Sequence, residues 1–255
     1  MFAKQGITKT TVSVIAKGFA PIGEQFAYAA ANFLVTAMLA RCLLIEDFAA
    51  YASGYAIVML LTMLHQGALC DGIFVKEELR NNKNARRIWL RNAVIIAAIS
   101  GSIALVAVLG NYTTVLVIGF LIFAPASLNQ YLRRFNQANK HNQTTLTAAF
   151  AYFSIVSCTT WYLALIQTAP LNIMVVPQLF GYTAAIIINA RVINRVDLKV
   201  ITDKPLTKKQ WQSIAAFSLI MLLNNCIAWL PSNIYQWLFF ARGDAVEASV
   251  FRIIQ

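Results

Sequence analysis

The fold of this chain is decided by residues 92–132, NAVIIAAISGSIALVAVLGNYTTVLVIGFLIFAPASLNQYL, a stretch without Asp, Glu, Lys, Arg or His. Residues 142–190 form a second such stretch. Short polar turns interrupt both near their middle, at residues 111–114 and 168–170. A membrane-spanning helix needs about 20 mostly apolar residues, so each stretch holds two spans joined by a tight turn. The two hairpins predict an integral membrane protein.

The composition of the 255-residue chain agrees with a membrane location. Apolar residues make up 59% of it, charged residues only 12%, and the mean hydropathy is +0.62, whereas a soluble domain carries roughly a quarter charged residues. The net charge of +11 comes from basic residues clustered between apolar runs, which favours an anionic membrane surface over nucleic acid as the partner. The four cysteines lack metal-ligand spacing, so no metal and no cofactor is expected.

Seven spans are predicted from the apolar runs. They lie at about 22–44, 52–72, 92–110, 115–132, 145–167, 171–190 and 211–232, and an eighth begins near Val246. Of the 21 Lys and Arg residues, 18 fall on one side of this arrangement, and only Arg41, Arg242 and Arg252 fall on the other. The positive-inside rule therefore predicts a cytoplasmic N-terminus. The expected fold class is all-α, a polytopic membrane helical bundle.

Polar side chains within the spans are candidate functional positions, because each costs free energy in lipid unless it is paired or hydrated. Successive residues of a helix are rotated by roughly 100°, so several of these side chains fall on one face of the first span and several others on one face of the second. These two stripes, with a polar pair in the seventh span, predict a substrate pathway along a hydrated cavity. Hydrogen bonding between helices is the alternative. The pathway residues are Gln25, Tyr28, Asn32, Thr36, Tyr55, Thr62, Gln66, Asn224 and Asn225. Asn129 and Gln130 are further polar positions in the fourth span, with no role assigned.

Four ionisable residues lie within the spans or at their ends. Glu24 and His65 are candidates for ion or proton coupling; an interfacial carboxylate and a packed neutral imidazole are the alternatives. Asp71 is a third coupling candidate, although it also fits a position facing the basic loop that follows it. Arg41 lies near the outer surface, where its side chain can reach lipid phosphate or pair with Glu46 or Asp47.

Two short segments resemble a transporter family. Leu39-Ala40-Arg41-Cys42-Leu43, followed by Phe48 and Tyr51, resembles the end of the first helix in polysaccharide and O-antigen flippases, where Leu-Ala-Arg precedes a Phe-Gly-x-Tyr turn. Ala49 stands where the family has its glycine. Trp229-Leu230-Pro231, followed by Arg242-Gly243, is similar to the region between the seventh and eighth helices of the same proteins. These flippases belong to the multidrug/oligosaccharidyl-lipid/polysaccharide transporter superfamily, which has two helical bundles around a central cavity.

The resemblance implies an architecture and an activity. It implies the N-terminal portion of a transporter, with a six-helix lobe at 1–195, a cytoplasmic linker at 196–210 and the start of a second lobe at 211–255. The activity implied is flipping of an undecaprenyl-pyrophosphate-linked oligosaccharide, an O-antigen or other surface polysaccharide unit, across the bacterial inner membrane. The chain would then be no enzyme, and Arg41 would contact the phosphate.

The expected partners follow from the same resemblance. They are the lipid-linked oligosaccharide, membrane lipids, and the polysaccharide polymerase and glycosyltransferases of the same pathway. A cation-coupled drug antiporter of the same superfamily is an alternative function. A membrane glycosyltransferase that uses Glu46 and Asp47 as a metal or acceptor site is another.

The predicted topology can be measured by cysteine labelling in a background without the four native cysteines. A cysteine in place of Asn111 is expected to react with an impermeant thiol reagent in intact cells, whereas one in place of Asn139 is expected to be shielded until a permeant reagent is used. Labelling of the Asn139 position without labelling of the Asn111 position would reverse the orientation.

Overall fold

A computed structural model of the chain describes residues 3–74, 82–111, 113–192 and 205–242, together with residues 246, 247 and 250. Helices account for nearly all of these ranges, and no β-strand occurs within them. The helices are α1 (Ala3–Cys42), α2 (Ile45–His65), α3 (Lys83–Leu109), α4 (Thr114–Ala138), α5 (Asn142–Leu165), α6 (Pro170–Ala190) and α7 (Lys208–Ala241). Helix α2 continues without a break through a π-helical turn, Gln66–Cys70, and a last α turn, Asp71–Phe74.

Six helices are long and apolar enough to cross a membrane. They run over Ile45–Cys70, Asn84–Leu109, Thr114–Ala138, Asn142–Leu165, Pro170–Ala190 and Lys208–Pro231. This confirms an all-α, multi-pass membrane protein and the second to seventh predicted spans. Helix α1 contains the first predicted span but is not among the six, because its polar stripe lowers the hydropathy of the run; its crossing stays a prediction. Most of the predicted linker at 196–210 and of the eighth span lies outside the described residues.

A residue with a left-handed backbone follows the end of three helices and keeps the connections to the next helices short. Asn111, Lys140 and Gln167 each follow a helix end and have a left-handed backbone, with φ of 51°, 62° and 50°. A residue in this conformation reverses the chain and lets the last helical carbonyls find donors. The turns at Asn111 and Gln167 fall within or beside the predicted polar turns, so both hairpins form where the sequence places them.

The core lies between α1, α2, α4, α5 and α6. Helix α5 packs between α1 and α6, and α4 contacts α2, α3 and α6. Large side chains with almost no exposed surface fill this core, including Tyr51, Ile118, Ile122, Tyr152 and Met174. Helices α3 and α7 are peripheral, because only 22% and 11% of their apolar windows are buried. Their remaining surface is available to lipid.

Glycines permit the closest helix contacts. A Cβ atom added to Gly54 on α2 would lie 2.8 Å from Ile118 on α4, and one added to Gly181 on α6 would lie 2.3 Å from Val156 on α5. Both distances are too short for real carbon atoms. Small residues commonly allow such close approach between membrane helices. In lipid, helices associate through van der Waals packing because the hydrophobic effect does not favour their association.

Substitution of these glycines is expected to destabilise the bundle. Gly54→Ala and Gly181→Ala must each push two helices apart, at a cost of about 1–3 kcal/mol, which a lower midpoint of thermal unfolding in detergent would report. Gly101→Ala is the matched control, because a Cβ atom there meets nothing within 4 Å and alanine favours a helix. Equal midpoints for all three variants would contradict the packing described.

Candidate functional site

A buried carboxylate forms the centre of the polar interior. The Glu24 side chain on α1 is 0% exposed. One of its oxygens accepts from Arg133 Nε, and the other accepts from Gln137 Nε2 at 2.9 Å and from Thr145 Oγ1 at 2.9 Å. The carboxylate therefore joins α1 to α4 and α5. We call these residues, with Tyr28 and Asn129, the Glu24 network.

Aromatic and amide side chains extend this network away from the charge pair. The Arg133 guanidinium lies 4.8 Å from the centroid of the Tyr28 ring, a cation–π distance. The Tyr28 hydroxyl accepts from Asn129 Nδ2 at 3.0 Å. Asn129 in turn accepts from Asn189 Nδ2 at 3.1 Å, and Asn189 accepts from Asn136 at 3.0 Å. A chain of polar contacts thus connects α1, α4 and α6.

Helix α4 contributes three side chains to these polar contacts, all from one face. Asn129, Arg133 and Gln137 recur every four residues, a spacing that places them on the same side of a helix. The fourth span was predicted to end at about residue 132, but α4 runs on to Ala138 and includes Arg133 and Arg134. The helix continues through both cations because each meets an acidic partner, Arg133 on Glu24 and Arg134 on Asp71.

A second polar cluster occupies the neighbouring face of α4. Gln130 Nε2 donates to Gln66 Oε1 at 2.7 Å, and Gln66 Nε2 donates to an Asp71 oxygen at 3.2 Å. Arg134 Nε lies 3.6 Å from the other Asp71 oxygen. Asp71 thus faces a basic residue of α4 in the described part of the chain. We call Gln66, Asp71, Gln130 and Arg134 the Asp71 cluster.

The π-helical turn explains why Gln66 reaches this cluster. A π turn inserts an extra residue and rotates the side chains around it. His65 is buried at its start, with Nδ1 3.8 Å from Cys70 Sγ, and its Nε2 has no hydrogen-bond partner among the described residues. Thr62 Oγ1 is also buried without a partner there. Asn225 Nδ2 donates to the Met63 carbonyl at 2.8 Å, so α7 rests against the turn.

The predicted stripes of α1 and α2 meet at one hydrogen bond. Tyr55 on α2 donates to Asn32 Oδ1 on α1 at 2.7 Å, although the two helices otherwise touch little. Tyr28, Asn32 and Thr36 are half-buried along this side of α1, as are Thr62 and Gln66 on α2.

Three predicted pathway or contact residues lie elsewhere. Gln25 and Asn224 are exposed. Arg41 is exposed at the end of α1, away from the Glu24 network. No carboxylate among the described residues forms an ion pair with it, so of its two alternatives the pairing with Glu46 or Asp47 is not seen. The structure brings together Glu24, Tyr28, Asn32 and Tyr55, and separately Gln66 and Asp71.

Sequence reasoning missed most of the partner residues. Arg133, Gln137, Thr145, Asn136 and Asn189 read as ordinary helix ends because a single sequence does not reveal which helices touch. The only available signal was periodicity, since Asn129, Arg133 and Gln137 share a face of α4. The sequence also did not reveal a row of three packed tyrosine rings. The ring centroid of Tyr152 lies 5.0 Å from that of Tyr28 and 4.8 Å from that of Tyr182.

Neither cluster contains the three metal-binding side chains that a metal site needs. No group of three or more His, Cys, Asp and Glu side chains that could hold a metal ion occurs among the described residues. What both clusters supply is hydrogen-bond donors and acceptors on several helices, inside a low-dielectric environment. Such groups position helices and bind polar ligands.

The comparisons with known proteins give no assignment. No protein-family model matches the chain, and neither the curated proteins nor the solved structures contain a significant match. The resemblance to polysaccharide flippases therefore stays a prediction.

Breaking the charge pair is expected to destabilise the protein strongly. Arg133→Met leaves the Glu24 carboxylate buried without its cation, which costs about 3–5 kcal/mol and lowers the thermal midpoint in detergent. The double variant Glu24→Gln with Arg133→Met removes both charges and is expected to recover much of the loss.

Arg87→Met is the control, because Arg87 is an exposed arginine of α3, and it should leave the midpoint unchanged. A midpoint for Arg133→Met that equals the control, or a double variant no better than the single one, would show that the pair does not hold α1 in place.

Proposed function

We propose that the protein is part of a transporter that flips an undecaprenyl-pyrophosphate-linked oligosaccharide across a bacterial inner membrane. The observation that carries the proposal is the meeting of the polar faces of α1 and α2 through Tyr55 and Asn32. These two helices border a half-buried, polar side of the bundle. A second bundle facing that side, as the family resemblance implies, would enclose a polar path between them.

The residue types on this side suit a sugar. Sugars are recognised by hydrogen bonds to their hydroxyls and by contact with aromatic rings. Amide and phenol groups supply the hydrogen bonds here, and the half-buried Tyr28 also supplies ring surface. None of these groups carries a charge, so a neutral oligosaccharide meets no electrostatic barrier from them.

A cation-coupled antiporter of the same superfamily is the second candidate, and the buried Glu24 favours it. A coupling carboxylate must bind and release a cation during transport. Glu24 already has the Arg133 guanidinium and two further donors, so an incoming cation would have to displace them. This competition makes the flippase the better-supported function.

A membrane glycosyltransferase has less support. Its expected acidic pair, Glu46 and Asp47, lies in the first turn of α2. No metal-binding group includes this pair within the described residues. The short connection between α1 and α2 leaves little space for an active site.

Asn32→Leu in the full-length protein is expected to reduce polysaccharide export in a flippase-deficient bacterial strain. Loss of one hydrogen bond to a sugar hydroxyl weakens binding by about 0.5–1.5 kcal/mol, or roughly 2- to 13-fold. Tyr55→Phe removes the hydroxyl that holds the Asn32 amide in place and should give a similar reduction, while leucine at position 32 keeps insertion favourable.

The matched control is Phe26→Leu, because Phe26 is an exposed side chain of α1 that lies off the polar face. Membrane levels and thermal midpoints of all variants must be equal for the comparison. Normal export by Asn32→Leu and Tyr55→Phe would count against a sugar path along these faces. Export of a cationic drug instead of polysaccharide would support the antiporter.

A further inference from the structure

A lipid-facing groove lies between the ends of α1 and α5. Phe33, Ala37 and Met38 form one wall, and Trp161 and Leu165 form the other, around a free volume of about 530 Å³. The groove opens away from the bundle, because Phe33 is 70% exposed and Leu165 is 66% exposed. Its surface suits a flexible apolar chain.

One cation closes the end of this groove. Arg41 lies in the last turn of α1 and lines the groove together with the apolar walls. No acidic side chain lines the groove or pairs with Arg41 among the described residues. A guanidinium at the edge of an apolar groove attracts an anion, and its planar fork matches a phosphate.

We propose that this groove binds an anionic phospholipid, with one acyl chain between α1 and α5 and the phosphate on Arg41. The charge complementarity selects this occupant. An apolar helix of a partner protein would cover the walls but leave the guanidinium without an anion. Trp161 adds an amphipathic ring, which favours the level of lipid headgroups.

A second groove in the same protein serves as an internal comparison. It lies along α3, is lined by Ala98, Ile99, Ser102, Ile103 and Val106, and has a free volume of about 410 Å³. It has a similar apolar surface but no cation. Bulk lipid covers such a surface without selecting a headgroup, so of these two grooves the Arg41 groove is the one to which specific binding is assigned.

Photolabelling of the full chain in lipid nanodiscs tests the proposal. The bilayer is phosphatidylcholine with a small fraction of phosphatidylglycerol that carries a diazirine in one acyl chain, and digestion with mass spectrometry locates the label. Label is expected on the parts of α1 and α5 that form the groove. Arg41→Gln should lower it about fivefold. Arg242→Gln, at the other described outer arginine, should leave it unchanged.

Filling the groove provides an independent variant. Ala37→Phe occupies the space between the walls and should displace label from both helices. Ala29→Phe adds the same ring at an exposed position of α1 that does not line the groove and should have no effect. Equal thermal midpoints of the four variants would show that each is folded.

Three results would overturn the proposal. The first is labelling of Arg41→Gln at the wild-type level. The second is equal labelling of the α3 groove and the Arg41 groove. The third is competition by unlabelled polyprenyl phosphate that exceeds competition by unlabelled phosphatidylglycerol at the same mole fraction, which would assign the groove to a lipid carrier. This proposal is independent of the transport function, so either can fail alone.

Discussion

The buried Glu24–Arg133 pair is the interaction on which the arrangement of this bundle depends. A carboxylate removed from water loses several kcal/mol of solvation, and Glu24 is 0% exposed. Glu24 avoids this cost only where Arg133, Gln137 and Thr145 converge. Its position therefore fixes α1 against α4 and α5 at one depth. The apolar packing of the bundle is built around this point.

The same constraint makes α4 the organising helix. One of its faces carries Asn129, Arg133 and Gln137 toward α1, and the next face carries Gln130 and Arg134 toward the turn after α2. Each of these five side chains thereby finds a partner outside α4. Helices α1 and α2 are both held by α4, so they need little direct contact. The polar side that they border in common is the surface available for a substrate.

Much of the fold could be predicted, and the reason is the bilayer itself. The length of an apolar run and the position of a polar turn, as at Asn111 and Gln167, depend on sequence neighbours alone. The polar stripe with Tyr28, Asn32 and Tyr55 was also accessible, because it needs only helical periodicity. The partners of Glu24 and the π turn at Gln66–Cys70 could not be predicted, since they depend on which helices meet. The predicted fourth span ended just before Arg133, because an isolated cation indicates water, whereas beside the buried Glu24 carboxylate Arg133 is part of the interior.

The most direct test of the bundle is an oxidative cross-link at the level of Glu24. Leu146 Cδ1 on α5 lies 3.0 Å from where a Cβ atom on Gly23 would be, so the pair Gly23→Cys with Leu146→Cys, in a background without native cysteines, should form a disulfide readily in native membranes. The pair Gly23→Cys with Leu165→Cys should not, because Leu165 lies roughly 28 Å further along α5 at about 1.5 Å per residue. Absence of the first cross-link, with both residues inserted and reactive toward a permeant thiol reagent, would contradict the packing of α1 on α5.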